Sequence, residues 1–335
     1  MSKISVVTGC AGFIGSHMTE FLLKKKHFVY GIDNLASGKI KNLKNFKKHN
    51  KFKFVKSDVK NFNDIIKKNK IKKIDYFFHF AGHGELIPSI KNPLKYFENN
   101  SFKTAIVMDT IKNKFKLKKF IYAASSSCYG ITNKKTKESN KIKIEHPYAF
   151  SKYVGEQICL HWAKIYKIPM ISIRIFNAYG PRSRTNNVYG AVIGVFLKQK
   201  LSNHPLTVIG NGKQKRDFLY ISDLCEAFHK ASISKYNYEI FNLGSSKPNS
   251  INYLASLISN NKKHIPWRQG EPFKTEANIN KIKKYLKWKP EVSLKSGIEI
   301  VKNNIYYWKN APLWTKKKIY LATKLWNKCL KKKKY

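Results

Sequence analysis

Tyr148 and Lys152 have the residue types and the spacing for proton transfer. Four residues make about one helical turn, so on a helix both side chains point the same way. A phenol titrates near ~10 in water, which is too high for a base at neutral pH. A fixed ammonium nearby favours the phenolate and lowers the pKa of the phenol. The pair therefore predicts a tyrosine base that lysine activates.

Three consecutive serines, Ser125, Ser126 and Ser127, follow an apolar run at residues 120–124. We predict a β-strand for this run, with the serine hydroxyls at its carboxyl end. A hydroxyl there can share the hydrogen bond to a substrate oxygen with the tyrosine. The Tyr-x-x-x-Lys spacing is weak support by itself, because tyrosine and lysine are abundant in this chain. The preceding elements must decide whether it marks a site.

The amino-terminal segment predicts a dinucleotide site. A β-branched run at residues 3–8 leads into Gly9, Gly12 and Gly15, which permit a tight turn and close approach of a helix amino terminus to a pyrophosphate. A second predicted strand, at residues 28–32, is followed by Asp33, where an acid hydrogen-bonds the adenosine ribose. An acid at this place disfavours a ribose 2′-phosphate. We therefore predict NAD as the cofactor in preference to NADP.

The β/α alternation continues to residue 175 and predicts an α/β fold with a Rossmann-type, doubly wound parallel sheet. In such a sheet ligands bind at the carboxyl ends of the strands, where the serine run lies. Further strands are predicted at residues 52–55, 74–80 and 170–175, and helices at residues 94–115 and 148–166. We expect an NAD-binding domain at residues 1–175, a smaller domain at 176–312 that mainly binds substrate, with some segments returning to the first, and a basic carboxyl-terminal extension at 313–335.

The formal net charge is +47, from 66 Lys and Arg against 19 Asp and Glu. Nearly all of the positive charge is lysine spread along the chain, whereas a nucleic-acid surface is typically arginine-rich and clustered. We interpret the charge as compositional background that attracts anionic substrates such as nucleotide diphosphates. No nucleic-acid partner is predicted.

The five cysteines are scattered without a Cys-x-x-Cys pair, which predicts reduced thiols and no zinc or other metal site. No apolar stretch reaches the ~20 residues of a membrane span. No secretory leader pattern precedes the first strand. We therefore expect a soluble, cytoplasmic protein with no integral membrane segment.

The ordered motifs resemble the extended short-chain dehydrogenase/reductase superfamily. Within it, the chain is similar to the NAD-dependent nucleotide-sugar epimerases and dehydratases over roughly residues 3–312. The motifs that carry the resemblance are T-G-x-x-G-F-I-G-S, G-I-D-N-L-A-S-G, H-F-A-G, S-S-S-C-Y-G, P-Y-A-F-S-K-Y-x-G-E, R-I-F-N-A-Y-G-P-R and K-R-D-F-L-Y-I-S-D.

The resemblance implies a role for each residue of the catalytic group. Tyr148 is the base, Lys152 lowers its pKa and binds the nicotinamide ribose, and Ser125 or Ser126 contacts the sugar hydroxyl, with the distance from Tyr129 favouring Ser125. The implied NAD site consists of Gly9, Gly12, Phe13, Ile14, Gly15, Asp33, Asn34, Asp58, Val59, Ala81, Gly82, Tyr148 and Lys152.

The implied nucleotide-sugar site lies mainly in the second half. Asn177 reaches the diphosphate, Val192 lies beside the nucleobase, and Arg216 and Arg268 hold the diphosphate, for which guanidinium groups are well suited. Thr275 aligns with a position whose bulk decides whether a 2-acetamido sugar fits. His83 and Glu85 replace residues that are more usual after the H-x-A-G motif.

The implied reaction is a 4-epimerisation. Dehydratases of this kind carry Thr-Asp-Glu where this chain has Ser125–Ser127, so the acids for loss of water are missing here. The predicted substrate is a UDP-hexose, a UDP-N-acetylhexosamine or the corresponding uronate. The alternatives are 4,6-dehydration or decarboxylation on the same scaffold and, as a different class, a non-catalytic protein that binds NAD or polyanions.

The resemblance also implies a homodimer, formed through the helices at residues 94–115 and 148–166. In the extension, Ile319, Tyr320, Leu325, Trp326 and Cys329 form an apolar stripe on a predicted lysine-rich helix. We expect this helix to dock on its own domain or on a partner subunit. The alternative is weak attachment to an anionic membrane.

Overall fold

The computed structural model describes residues 2–132, 134–183, 191–267 and 270–329. Its strands are β1 (Ile4–Thr8), β2 (Phe28–Asp33), β3 (Phe52–Lys56), β4 (Tyr76–His79), β5 (Lys119–Ser125), β6 (Met170–Ile175), β7 (Asn177–Tyr179), β8 (Leu206–Ile209), β9 (Lys215–Arg216), β10 (Phe218–Tyr220), β11 (Glu239–Leu243), β12 (Asn249–Ser250) and β13 (Lys262–Ile265).

The helices follow the apolar patterns of the intervening segments. They are α1 (Phe13–Lys24), α2 (Phe62–Lys68), α3 (Leu86–Lys91), α4 (Pro93–Phe97), α5 (Lys103–Lys114), α6 (Pro147–Ile165), α7 (Val192–Leu201), α8 (Ile221–Ile233), α9 (Ile251–Ile258), α10 (Asn280–Leu286), α11 (Leu294–Asn303) and α12 (Lys316–Cys329). Within the described ranges, no helix is both long and apolar enough to span a membrane.

Seven strands form a parallel sheet in the order β11-β6-β5-β4-β1-β2-β3. Every residue of β4 and β5 is buried, as expected for central strands that helices cover on both faces. The sequence-based prediction of a doubly wound α/β sheet is confirmed. Strand β11 comes from the second half of the chain and pairs with β6.

Parallel pairing brings the functional strand ends to one edge of the sheet. Thr8 at the end of β1 pairs with Ile32 on one side and with His79 on the other. The glycine turn after β1, Asp33 at the end of β2 and Ser125 at the end of β5 therefore share this edge. Small two-stranded sheets, β7 with β10, β8 with β13 and β9 with β12, lie outside the central sheet.

The helix predicted for residues 94–115 is interrupted. Between α4 and α5 the chain forms a wider, π-helical turn at Glu98–Phe102. Helix α6 comes very close here, since a Cβ on Gly155 would lie 2.3 Å from the carbonyl oxygen of Asn100. We attribute the widened turn to this contact. Helix α3, which precedes this segment, was not predicted from the sequence.

Candidate active site

The hydroxyl of Tyr148 meets the serine run at the end of β5. Tyr148 is in the first turn of α6 and donates a hydrogen bond of 3.1 Å to Oγ of Ser125. Ser125 is the last residue of β5, and its Oγ also accepts from the backbone N–H of Ser127 at 3.2 Å. Ser126 is half-buried in the following 3₁₀ turn. The structure thus joins Tyr148 to Ser125, the serine that the spacing to Tyr129 favoured.

Lys152 lies one turn further along α6 and is half-buried. Its Nζ lies over the ring of Tyr122, 4.3 Å from the ring centroid. Burial is the main influence on this ammonium and lowers its pKa to about 8. A lysine in such surroundings loses its proton far more readily than one on the surface.

From the sequence, Lys152 was expected to lower the pKa of Tyr148, but in this structure that pKa is raised. Burial raises the pKa of the phenol, and the hydrogen bond with Ser125 opposes that increase only in part. The physical reason is that desolvation disfavours the charged form of both the phenol and the nearby ammonium. A positively charged nicotinamide ring beside the phenol would favour the phenolate.

Aromatic rings surround the Tyr148 side chain. His146 caps α6 by accepting from the N–H of Ala149 at 3.2 Å, and its ring stacks on Tyr148 with centroids 5.8 Å apart. Burial lowers the pKa of His146 to about 4, so it remains neutral and can serve as this acceptor. Tyr96 meets Tyr148 edge-on at 6.4 Å and donates to the carboxylate of Glu85 at 3.0 Å.

An open cavity lies at the same sheet edge. Its lining also includes His83, whose ring lies 5.3 Å from that of Tyr96, so the cavity and the Tyr148 group adjoin. Eight predicted cofactor residues line it: Gly9, Gly12, Asp33, Asn34, Asp58, Val59, Ala81 and Gly82.

The glycine turn has no space for side chains. Gly9 adopts a φ of +69°, and a Cβ on Gly15 would lie 2.1 Å from the carbonyl oxygen of Gly9. Phe13 and Ile14 form the start of α1 directly after Gly12, so backbone N–H groups of the first turn are available to a phosphate. The turn and the cavity fit a bound dinucleotide.

Asp33 stabilises the glycine turn as well as lining the cavity. Its carboxylate accepts hydrogen bonds from the backbone N–H groups of Ala11 at 2.9 Å and Leu35 at 2.7 Å. Burial raises the pKa of this carboxyl, and the backbone hydrogen bonds oppose the increase. Asp33 therefore holds the glycine turn in place and also presents a carboxyl group to the adjacent cavity.

Asp58 and Asn34, which also line the cavity, are joined by a hydrogen bond. Asp58 accepts from Asn34 at 2.8 Å and from the buried Lys103 at 2.9 Å. Burial alone would raise the pKa of Asp58, but the hydrogen bonds from the Lys60 backbone, Lys103 and Asn34 outweigh it and lower the pKa. Lys103 was not predicted as a site residue.

The predicted substrate residues lie on several separate segments. The hydroxyl of Thr275 donates to Oδ1 of Asn177 at 2.9 Å, which brings these two predicted residues together. Arg216 is buried and pairs with Glu271 at 2.7 Å. Val192 is half-buried at the start of α7. Arg268 lies outside the described residues.

Asn100 is a central site-supporting residue that sequence reasoning missed. Its buried amide accepts from the N–H of His83 at 2.8 Å and donates to the His83 carbonyl at 3.0 Å and to Ser151 Oγ at 2.9 Å. It thereby ties the loop after β4 to α6. No local pattern marks it, because its partners lie far away in the chain. His146 was also missed, although a polar residue before Pro147 is a helix-start signal.

Behind the site, Arg174 and Glu156 form a buried ion pair. Nη2 of Arg174 lies 2.7 Å from Glu156, and Nη1 donates to the hydroxyl of Tyr129 at 2.8 Å. Ser172 adds a hydrogen bond of 2.6 Å to the same carboxylate. This network joins α6 to β6, so the role of Arg174 is structural.

Oxidation of an alcohol by a dinucleotide enzyme needs a proton acceptor beside the dinucleotide cavity, and here a phenol hydrogen-bonded to serine adjoins such a cavity. The fold and the site therefore define the class of Rossmann-type enzymes that use a nicotinamide dinucleotide. A sequence model of the NAD dependent epimerase/dehydratase family matches residues 5–244, and the chain belongs to this family.

Characterised relatives extend over most of the chain. The UDP-glucuronate 4-epimerase of Thermodesulfobacterium geofontis is 32% identical over 307 residues, which cover 88% of this chain and 93% of that protein. Crystallised UDP-glucuronic acid 4-epimerase from Bacillus cereus, in complex with UDP-glucuronic acid and NAD, has a TM-score of 0.82 and 32% identity, covering 90% of this chain and 98% of that one.

A second relative of solved structure differs in the sugar that its name gives. The UDP-N-acetylglucosamine 4-epimerase of Methanobrevibacter ruminantium, in complex with UDP-N-acetylmuramic acid, has a TM-score of 0.83 and 31% identity, covering 90% of this chain and 99% of that one. The predictions of the family, of an enzyme and of NAD as its cofactor are confirmed. The 4-epimerase hypothesis agrees with these relatives.

Proposed function

We propose that this protein is an NAD-dependent UDP-sugar 4-epimerase. The observation that carries the proposal is the 3.1 Å hydrogen bond between Tyr148 and Ser125 at the sheet edge, next to a cavity that fits a dinucleotide. It places a proton acceptor and a second hydroxyl where a sugar alcohol and the nicotinamide would meet. UDP is the nucleotide that the relatives' names share.

In the proposed mechanism Tyr148 accepts the proton of the C4 hydroxyl while Ser125 shares the hydrogen bond to that oxygen. Bound NAD supplies the acceptor for the C4 hydride and the donor that returns it. Because the sugar turns about its bond to the diphosphate between the two transfers, its opposite face receives the hydride. Tyr148 then returns the proton, and the configuration at C4 is inverted. The residues that would hold NAD are those of the glycine turn together with Asp33, Asp58 and Lys152.

The sugar is proposed to be a hexose, an N-acetylhexosamine or the corresponding uronate. The Thr275–Asn177 pair supports a site on the substrate side where a small hydroxyl residue leaves room for a substituent. The named relatives act on a glucuronate and on an N-acetylglucosamine, so both classes belong in a substrate panel.

The decisive experiment incubates purified protein with UDP-glucose, UDP-N-acetylglucosamine and UDP-glucuronate and follows the sugar protons by NMR. We expect conversion of at least one sugar to its C4 epimer, with no net change in NAD. A product that has lost water or carbon dioxide would show dehydration or decarboxylation and overturn the proposal. Tyr148→Phe is the matched control, because it removes only the hydroxyl.

We also propose a homodimer. Exposed apolar side chains line the two helical segments expected to pair: Leu94, Phe97, Phe102, Phe150, Ile165 and Tyr166. Phe97 and Phe150 stack with centroids 6.5 Å apart and remain 42% and 49% exposed, so together they form a patch across both segments. Light scattering after gel filtration should give a dimer that Phe150→Glu dissociates. A monomeric wild type would contradict this.

A cytoplasmic location is proposed on the chemistry of the cysteines. Cys10, Cys128, Cys159 and Cys225 are buried free thiols, and Cys329 is an exposed one. Free thiols fit a reducing compartment. Fractionation of the source cells, with the protein detected by antibody, tests the location, and recovery outside the cytoplasm would refute it.

A further inference from the structure

We propose that the segment that contains α12 acts as a clasp, which joins the two sides of the substrate cleft and keeps it closed during a turnover. The proposal rests on the 4-epimerase function proposed above. It concerns residues 313–329, hereafter the clasp, which lie well beyond residue 244, where the family match ends.

The first anchor of the clasp is on the substrate side. Ile319 is only 4% exposed and packs with Ile209 and Ile265, the last residues of β8 and β13. The buried Gln199 donates to the carbonyl of Trp314 at 2.7 Å and to Thr207 of β8 at 2.8 Å. The start of the clasp is therefore held against the β8–β13 pair by both apolar packing and hydrogen bonds.

Strand β8 leads towards a residue of the predicted diphosphate site. Beyond β8 the chain runs to Arg216 of β9, which was predicted to hold the diphosphate. Ile209 and Ile265 are paired in register across the two strands. The clasp thus rests on the strand pair from which the chain runs to Arg216.

The second anchor is on the catalytic side. Helix α12 also packs against α3, and α3 packs against α6, which carries Tyr148. Glu85 immediately precedes α3 and accepts from Tyr96, whose ring meets that of Tyr148 at 6.4 Å. A continuous set of contacts therefore connects the clasp, through α3, to the side chains around the Tyr148 phenol.

Closure has a specific chemical value in a 4-epimerase. The 4-keto sugar must turn over inside the cleft without leaving, because an escaped keto sugar leaves its hydride with the cofactor and its proton with Tyr148. The enzyme would then be unable to start another cycle from the oxidised state. A helix that holds both walls at a fixed separation limits opening while the sugar turns.

The test compares the full chain with two weakened clasps. One variant combines Ile319→Ala with Trp326→Ala, both buried on the inner face of α12, and the other ends the chain at Pro312. The matched control combines Tyr320→Ala with Leu321→Ala, which are 63% and 59% exposed on the same helix. The measurements are kcat, KM for the UDP-sugar, the absorbance of reduced nicotinamide that builds up during turnover, and hydrogen exchange in α3.

In the weakened clasps we expect KM to rise by about tenfold, a usual size for coupling between separate elements. Reduced cofactor should accumulate during turnover and exchange in α3 should be faster, whereas the control should match the wild type. Unchanged KM, cofactor absorbance and exchange in folded variants would overturn the clasp. Ile319→Val is the milder substitution that keeps the test decisive if neither weakened clasp folds.

The two proposals fail differently. A wild type that converts no UDP-sugar sinks the epimerase function, while an active wild type with weakened clasps that behave like the control sinks the clasp alone.

Discussion

Two ends of one helical face differ in how completely their polar groups are satisfied. Tyr148, Lys152 and Glu156 follow one another at one-turn intervals along α6. At the first position, in the described part of the chain, the hydroxyl has a single hydrogen-bond partner, Ser125. At the third, the carboxylate accepts from Ser172 and from two nitrogens of Arg174. The same helix therefore carries a reactive end and a saturated end.

The difference indicates how the helix separates chemistry from stability. A group that exchanges protons with substrate must keep hydrogen-bonding capacity free, whereas a buried charge without full partners is strongly destabilising. Glu156 anchors α6 to β6 through Arg174, and Tyr148 can then be positioned by a rigid helix without such partners of its own. Substitutions at the two ends should consequently have opposite profiles.

The largest effect is expected from Tyr148→Phe. Removing the proton acceptor should lower kcat by about 10²–10⁴-fold, the usual contribution of general base catalysis. Thermal stability should change little, because only one partly buried hydrogen bond is lost. The measurements are kcat by coupled assay, bound NAD by extraction, and the melting temperature. Retention of more than a tenth of the activity would exclude Tyr148 as the base.

Glu156→Ala should show the reverse profile. Leaving Arg174 as an unpaired buried charge should cost about 3–5 kcal/mol of unfolding free energy. Asp109→Ala is the control, because Asp109 pairs with Lys112 at 2.7 Å but is 54% exposed, and its loss should cost no more than about 1 kcal/mol. Urea unfolding measures both. Equal costs at the two positions would mean that the saturated end is not a stabilising anchor.

Local sequence patterns account for much of the cofactor side. Gly9, Gly12 and Asp33 were predicted from strand, turn and acid spacing, and they line one cavity because parallel strands bring their ends to one edge. The contact between Tyr148 and Ser125 followed from the same topology. These features needed only the order of the elements and the periodicity within each.

Other features depend on contacts between distant segments and left no local pattern. Asn100 lies in the π-helical turn between α4 and α5, and its amide joins His83 to Ser151. The expected lowering of the Tyr148 pKa failed because burial around a side chain cannot be read from a Tyr-x-x-x-Lys spacing. The contact of α12 with α3 left no local pattern either. Of the predicted stripe on α12, Ile319 and Trp326 are buried whereas Tyr320 and Leu325 are exposed, so the stripe indicated a docked helix but neither its full buried face nor its target.

Ser125→Ala sharpens the comparison at the reactive end. The Ser125 hydroxyl lowers the pKa of Tyr148, so its removal should move that pKa further upward. We expect kcat/KM to fall by about 10–100-fold, in keeping with one lost hydrogen bond to a charged group. Because Tyr148 must lose its proton to act as the base, the midpoint of the rising, low-pH limb of the pH–rate profile should shift to higher pH. A lower activity with an unmoved midpoint would mean that Ser125 positions the sugar without influencing the phenol.

Lys152→Met tests whether the middle position of the face belongs to the reactive end. Burial lowers the folded-state pKa of Lys152 to about 8 from 10.5, so the unfolded chain binds its proton more tightly. Stability therefore increases as pH rises between these two values, and the charged lysine destabilises the fold at pH 7. Methionine has a similar length and no charge to desolvate.

At pH 7 we expect Lys152→Met to raise the unfolding free energy by about 1 kcal/mol, less than a full pKa-derived gain because the contact with the Tyr122 ring is lost. The gain should shrink as the pH approaches 10.5, where the wild-type lysine also becomes neutral in the unfolded chain. Denaturant unfolding at neutral and alkaline pH measures this gain in unfolding free energy. The activity of Lys152→Met should be lower than that of the wild type. If Lys152→Met is less stable than the wild type at pH 7, Lys152 stabilises the fold and belongs with Glu156 among the structural anchors. If the variant is more stable, the fold retains a destabilising lysine, as expected for a residue that is kept for catalysis.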